Sequence, residues 1–289
     1  MTEAVQYLIA GLMVGSIYGL IGIGFTTVYN ATGIVNFAQG DFAMVGALSA
    51  ISLNAAGLSL ISAILLAIAI TGALAVVVER VAVRPIGPSV IRGIIVTIGV
   101  GVVLQGVAVI LWGTDAQPMP SFSGERPFQL FGATLVPQTL WIVGMAAALM
   151  IALYFFFQRS YLGKAFRACA LNPLASQLVG IRLKTMRVLG FALSGIFGAV
   201  GGIIVAPVAL TQYDSGLSLG IKGFVACIVG GFGNPVGAAV GGLLLGVLEG
   251  FAGGFLSSGF KNAIAFVLLL LFIAFRPGGL FGDFERVGR

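Results

Sequence analysis

Four side chains that carry amide or carboxyl groups, Asn30, Asn36, Gln39 and Asp41, stand close together in a run flanked by apolar residues on both sides. A polar group at lipid depth is costly, so it normally faces a bundle interior or a wet cavity. A few amides bind a passing solute weakly enough to release it, which a fixed charge does less well. Gly33 and Gly40 lie in the same run, where they weaken a helix and allow close backbone approach. The combination suggests a broken membrane helix lining a solute path, with Asn30, Asn36, Gln39, Gly40 and Asp41 as path residues; residues 33–56 either cross fully or are split near Gly40.

On a continuous helix Asn36, Gln39 and Gly40 share a face, while Asp41 points toward a neighbouring helix. Lys222 holds the matching place in the second half of the chain and is the expected partner of Asp41. A buried pair of that kind fixes register more reliably than it stabilises. Glu249 lies inside another apolar stretch and is expected to pair with a basic group in the bundle; the alternative is a proton-relay acid. Lys261, near a helix end, is expected to snorkel to the interface.

Other chemistries lack their residues. The chain has no His, hence no imidazole shuttle or ligand. Cys169 and Cys227 are far apart, show no disulfide or zinc spacing, and read as small buried thiols. No phosphate-binding Gly-Lys-Ser/Thr loop, nucleophile elbow or His-Glu-x-x-His is present. An enzyme is therefore not expected, and any ATP hydrolysis belongs to another subunit.

The elements that must position these groups are membrane helices. The 289 residues are 59% hydrophobic and 8% charged, a balance that soluble domains do not have. Apolar stretches of near-spanning length cover residues 6–28, 33–56, 58–78, 93–112, 138–157, 188–209, 219–231, 236–255 and 262–275. This predicts an all-α polytopic bundle of eight or nine spans, one membrane domain over residues 1–289. The first stretch reads as a retained helix and not a signal peptide. Residues 113–137, rich in Pro, Gly and Ser, read as an external loop. The run Gly230, Gly231, Phe232, Gly233, Asn234 and Pro235 interrupts the later spans, so 219–255 is either two short spans or a re-entrant hairpin.

Twelve of the 15 Lys and Arg residues fall in three clusters: Arg80, Arg84 and Arg92; Arg159, Lys164, Arg167, Arg182, Lys184 and Arg187; and Arg276, Arg286 and Arg289. The positive-inside rule puts all three in the cytoplasm, with the C-terminus, and Asp115, Glu125 and Asp214 outside. Such collars exclude a nucleic-acid groove. Residues 15–22 echo residues 194–201, and each copy precedes a polar turn and a Gly-interrupted helix. That suggests an inverted repeat with the path at its interface; the alternative is ordinary small-residue packing.

Within the cytoplasmic segment 159–187, residues 161–171 have helical composition. Asn172 offers an N-cap oxygen, Pro173 suits the first position of a second short helix, and Gly180 suits its close. Two stiff amphipathic helices of this kind transmit a push from a cytosolic partner or, alternatively, lie on lipid headgroups.

These motifs resemble the permease subunits of branched-chain amino acid ABC transporters. The resemblance rests on residues 28–42, 78–85, 163–175 with Gly180 and Ile181, 229–238 and 276–282, in order along the chain. The family often has His where this chain has Gln39 and Glu where it has Asp41; both changes keep polarity. The resemblance implies an importer in a bacterial inner membrane. It implies a second permease subunit, most simply a paralogue, two cytosolic ATPases that bind ATP and Mg, and an external solute-binding protein. This chain would hold no cofactor. Gly163, Arg167, Ala168, Asn172, Ala175 and Gly180 match the ATPase-contacting loop. Lys222, Gly230, Gly231, Gly233, Asn234 and Pro235 are the expected second-repeat path and hinge. Relatives of the family also carry urea, short amides and other amino acids. The competing expectation is an ion-coupled transporter or channel that uses Asp41 and Glu249.

Overall fold

A computed structural model describes residues 2–87, 89–124, 126–130, 133–255 and 259–282. Glu125, Arg286 and Arg289, and the side chain of Lys261, lie outside the described residues, and so do the expectations placed on them. Helices follow in the order α1 (Thr2–Thr32), α2 (Gln39–Ala55), α3 (Leu60–Val78), α4 (Val90–Trp112), α5 (Pro137–Arg159), α6 (Tyr161–Leu171), α7 (Pro173–Leu178), α8 (Leu183–Val205), α9 (Ser215–Gly230), α10 (Pro235–Phe255) and α11 (Phe260–Phe275). A two-stranded hairpin, Phe128–Leu130 with Ala133–Leu135, lies in the loop before α5.

The chain is an all-α, multi-pass membrane protein. Six of its helices, α1, α3, α4, α5, α8 and α10, are long and apolar enough to cross a bilayer. α9 and residues 262–275 are shorter apolar helices, and α2 has 17 residues. Local signals set several ends. Ser59 and Ser89 accept hydrogen bonds from the backbone N–H groups of Ser62 and Arg92, which caps α3 and α4. Pro137 stands in the first turn of α5, where a missing N–H costs nothing.

Apolar side chains point outward from most of α4 and α5, and inward from α1 and α8. The most apolar windows of α1 and α8 are each 67% buried, against 22% for α4 and α5, so α1 and α8 form the centre. They run antiparallel, Gly190 of α8 meeting Thr27 and Ala31, and Gly201 meeting Leu20 and Ile21. α10 lies along the other side of α1 with almost no space between backbones: a Cβ on Gly15 would sit 2.8 Å from Leu243 Cα. Such contact needs small residues, and gains its energy from dispersion, since lipid offers no hydrophobic drive between helices. Exposed Ile61, Leu65, Val102, Ile110 and Leu270 on α3, α4 and α11 face where acyl chains would lie.

The described members of the three basic clusters gather at one end of this bundle. The end of α3 pairs with the start of α8 through Glu79 and Arg187. The start of α8 touches the end of α1. The end of α1 touches the α9–α10 turn, and the segment after α11 binds the end of α9. At the opposite end Gln117 bridges to Thr211, which ties the long loop to the α8–α9 connection.

Candidate functional site

α1 stops at Thr32. Its last turn closes when Gly33, at φ +70°, donates its N–H to the Tyr29 carbonyl at 2.7 Å. Residues 33–38 then turn back into the bundle along α4. Ile34 packs on Gly93, and the Phe37 N–H donates to Thr97 Oγ1 at 3.1 Å. Thr97 lies seven residues into α4, about 10 Å from its start. Asn36 Oδ1 accepts from the Ala38 N–H at 3.2 Å, an Asx turn from which α2 departs.

The break therefore falls at residues 33–38, just before Gly40 and not at it. Gly40 sits inside α2, and a Cβ there would lie 2.6 Å from the backbone nitrogen of Gly220. Asn36 stands before the helix, so it does not share a helical face with Gln39 and Gly40.

All five expected path residues are buried around this break. Gln39 is fully enclosed and grips Ser194 of α8 twice: its Nε2 donates to the Ser194 carbonyl at 3.1 Å, and its Oε1 accepts from the Ser194 hydroxyl. Asp41 Oδ1 accepts from Gln105 Nε2 of α4 at 2.9 Å. Its carboxylate also faces the first turn of α9, where a Cβ on Gly216 would lie 2.7 Å from Oδ1. The N-terminal end of a helix favours negative charge, so this placement suits Asp41. Asn36 Nδ2 is buried without a hydrogen-bond partner.

Lys222 does not pair with Asp41. Six residues along α9 from Gly216 is about 240° around the axis, which carries Lys222 to another face. There its Nζ lies 2.9 Å from Glu249 of α10 and 5.2 Å from the centre of the Tyr18 ring of α1. Tyr18 donates its hydroxyl to the same carboxylate at 2.8 Å. The basic partner expected for Glu249 is thus present, and the partner expected for Asp41 is replaced by an amide.

The glycine run is a tight turn between two antiparallel helices. Gly231 and Gly233 adopt φ of +109° and +90°. Asn234 Oδ1 accepts from the N–H groups of Val236 and Gly237 at 3.0 and 3.1 Å, capping α10, with Pro235 at its start. Gly230 packs on Gly237. Asn30 Nδ2 donates to the Gly233 carbonyl at 2.9 Å, and Tyr29 meets Phe232 edge-on at 4.6 Å. The first motif and the glycine run therefore touch at the basic end. The segment after α11 adds a clasp: Leu280 and Phe281 donate N–H groups to the carbonyls of Val229 and Gly230.

The segment after α5 folds as its caps dictate. Ser160 Oγ accepts from the Gly163 N–H at 2.9 Å, starting α6. Gly163 lets α6 pack on the end of α5, since a Cβ would lie 2.6 Å from Phe157 Cα. Phe166 and Cys169 point inward; burial pushes the Cys169 thiol up. Arg167 points outward and donates to Gln158 at 3.1 Å. The Ala168 carbonyl closes α6 by accepting from the Asn172 N–H, and Asn172 Oδ1 accepts from the Ala175 N–H at 3.0 Å, starting α7. Gly180 takes φ +88° just past its end. Leu171, Leu174, Leu178 and Val179 are left exposed at the outer surface of this unit. A cleft of about 400 Å³ between α1, α5 and α10, lined by Ile23, Met150, Leu153 and Val236, is too apolar to suit a zwitterion.

Sequence reasoning passed over Thr97, Gln105 and Ser194, which hold the seam together. The signal available was their type: polar groups in apolar helices seek buried partners.

Residues 7–274 match the family model described as branched-chain amino acid transport system, permease component. The high-affinity branched-chain amino acid transport system permease protein BraD of Pseudomonas aeruginosa is 33% identical over 299 residues, which cover 98% of this chain and 97% of that protein. LivH of Escherichia coli, a permease of the same description, is 32% identical with the same coverage. The ribose import permease RbsC of E. coli is 25% identical over 81% of this chain and 74% of its own length. Among solved structures, PsaBC from Streptococcus pneumoniae in complex with Fab has the same fold, with a TM-score of 0.51 at 13% identity over 92% of this chain and 89% of that one. A match that spans nearly every described helix, the broken α1–α2 connection and the capped α6–α7 unit included, places this chain in the branched-chain amino acid transport system permease family.

Proposed function

We propose that this chain is one permease subunit of an ATP-driven importer of branched-chain amino acids, and that it supplies half of the solute path. A second permease, most simply a paralogue, supplies the other half. Two cytosolic ATPases hold ATP and Mg and supply the force, and an external binding protein delivers the solute. The likeness to BraD and LivH, both branched-chain amino acid permeases, supports the solute class. The positive-inside rule makes the basic end cytoplasmic, with the C-terminus on that side, and the likeness to bacterial permeases supports a bacterial inner membrane.

Counting α1–α5 and α8–α11 as legs gives nine crossings, with the N-terminus outside. α1–α4 and α8–α11 then form an inverted repeat. What supports this is the antiparallel contact of α1 with α8, and the crossing of the two short helices α2 and α9 at Gly40, Gly216 and Gly220. The path runs past that crossing, beside Asn36, Gln39 and Asp41, and the Asn30–Gly233 contact shuts its cytoplasmic end. In this reading the close contact of Gly40 with Gly216 and Gly220 is the closed state of the path. Approach of the ATPases pushes α6–α7, α8 tilts with it, and the Gln39–Ser194 grip shifts so that α2 and α9 part.

The observation that carries this reading is the capped α6–α7 unit, with apolar side chains turned outward and Phe166 turned into the bundle. Purification from the native membrane is expected to yield two ATPases and a second permease with the chain. Leu174→Asp with Leu178→Asp is expected to release the ATPases and leave insertion intact. Arg167→Glu is expected to abolish uptake and its stimulated ATP hydrolysis. Recovery of the chain without ATPases, or full uptake by Arg167→Glu, would refute the reading.

A further inference from the structure

Glu79 and Arg187 form the second charged pair buried in the described part of the bundle, and it differs from the first. Glu249 Oε2 accepts from both the Tyr18 hydroxyl at 2.8 Å and Lys222 Nζ at 3.2 Å, and Nζ stands 2.9 Å from its Oε1 as well, although Oε1 accepts no hydrogen bond. Glu79, only 1% exposed, lies 3.5 Å through Oε1 from Arg187 Nε, and its Oε2 has no partner. Arg187 Nε and Nη2 are also buried without a hydrogen-bond partner, so the 3.5 Å contact is an ion pair and not a hydrogen bond. A carboxylate with an open oxygen inside a bundle is expensive, whereas a bidentate guanidinium contact satisfies both oxygens at once. The pair as seen is half made. Closing the 3.5 Å contact to the roughly 2.8 Å of a charge-assisted hydrogen bond, with Nη2 brought to Oε2, would complete it, and a small slide of α8 past α3 is one way to do so.

Its position gives that slide a source. Arg187 lies in the second turn of α8, directly after α7 and the Gly180 turn. Its neighbour Met186 is buried in the cluster that holds Phe166 and Cys169 of α6, and a Cβ on Gly190, one turn on, would lie 3.4 Å from the Phe166 ring. One side of α8 is therefore held by α6, while Arg187 reaches α3 from another side. Glu79 opens a π-turn, Glu79–Val83, whose wider turn ends with the Arg84 N–H donating back to the Glu79 carbonyl. Such single wide turns recur where helices must shift. Deeper in the membrane α3 meets α8 through small residues: a Cβ on Gly195 would lie 2.9 Å from the Thr71 carbonyl. That surface can slide but not pull.

We propose that Arg187 and Glu79 are positioning residues for transport: a strut, open in this conformation and bidentate in another, that carries movement of α6–α7 into α3. The inference rests on the function proposed above and adds residues that the α6–α7 unit acts through. The test uses the complete transporter, co-purified from native membranes, in vesicles with leucine as the probe. The readouts are leucine taken up per ATP hydrolysed and the amount of folded complex.

Glu79→Gln and Arg187→Gln should each lower the ratio by about tenfold, while hydrolysis continues and the amount of complex holds. Glu79→Arg combined with Arg187→Glu should restore most of the ratio. Arg187→Lys, which keeps the charge but not the bidentate geometry, should fall between and covers the case in which the swap does not fold. A ratio unchanged in the single variants, or uptake and hydrolysis falling together in step with the amount of folded complex, would overturn the strut and leave the function standing. A wild-type complex that hydrolyses ATP and moves no amino acid would remove the function and the strut together.

Discussion

Asp41 shows how a single side chain can be committed by its surroundings. It accepts from Gln105, faces the first turn of α9, and lies on the first turn of α2. Its neighbour Gly40 has no room for a side chain. Both nearest obstacles, the Gly216 carbonyl and the Gly220 backbone, are main chain and cannot rotate away. Gly40→Ala should therefore destabilise the chain by about 1–3 kcal/mol and abolish uptake. Gly106→Ala, where nothing lies within 4 Å, should leave both untouched. Thermal melts of the two variants in detergent check this, and equal melting points would refute the closed seam. Lys222 gives a second prediction at this scale. Lys222→Met leaves Glu249 buried without its cation and should cost about 3–5 kcal/mol, while Lys222→Met with Glu249→Leu should recover most of that. If the double variant melts like wild type yet transports nothing, the pair belongs to the transport mechanism and not to packing.

α6 and α7 belong to the scale of the element. Asn172→Ala removes the side-chain oxygen that caps α7 and should cost about 1 kcal/mol of local stability. Gly180→Ala forces a Cβ into the left-handed region at a cost of about 1–2 kcal/mol. Neither change touches the membrane helices, so both should lower uptake per ATP more than they lower the amount of protein in the membrane; equal losses would contradict a transmitting role. These caps were legible in the sequence because a cap depends on residues a turn apart. The break between α1 and α2 was legible only as to its neighbourhood. Gly33 and Gly40 look alike in sequence, but one takes positive φ and ends a helix, while the other stays helical and meets Gly220. What separates them is the packing of α4 and α9 around the run. The partner of Lys222 was hidden for the same reason. Sequence gives its distance from Gly216 along the chain, but not which of several neighbouring helices its face of α9 will meet. The roles of Thr97, Gln105 and Ser194 depend on contacts 60 to 155 residues apart along the chain, which no local pattern encodes.

At the scale of the whole molecule, composition alone dictated a helical membrane bundle. The distribution of Lys and Arg dictated that one end would gather the charge, and the structure gathers it there. Between that end and the opposite one, two helices begin inside the bundle, and both of their first turns rest on backbone contacts at glycine. Such a junction can part without breaking a charged pair. On the function proposed above, the force that parts it comes from the ATPases. Uptake into sealed vesicles measures this most directly, comparing the isolated chain with the co-purified complex, each with ATP inside. The account predicts no accumulation of leucine by the chain alone, and accumulation by the complex that stops when ATP is withdrawn and persists when the proton gradient is collapsed. Accumulation against a gradient by the isolated chain would contradict it.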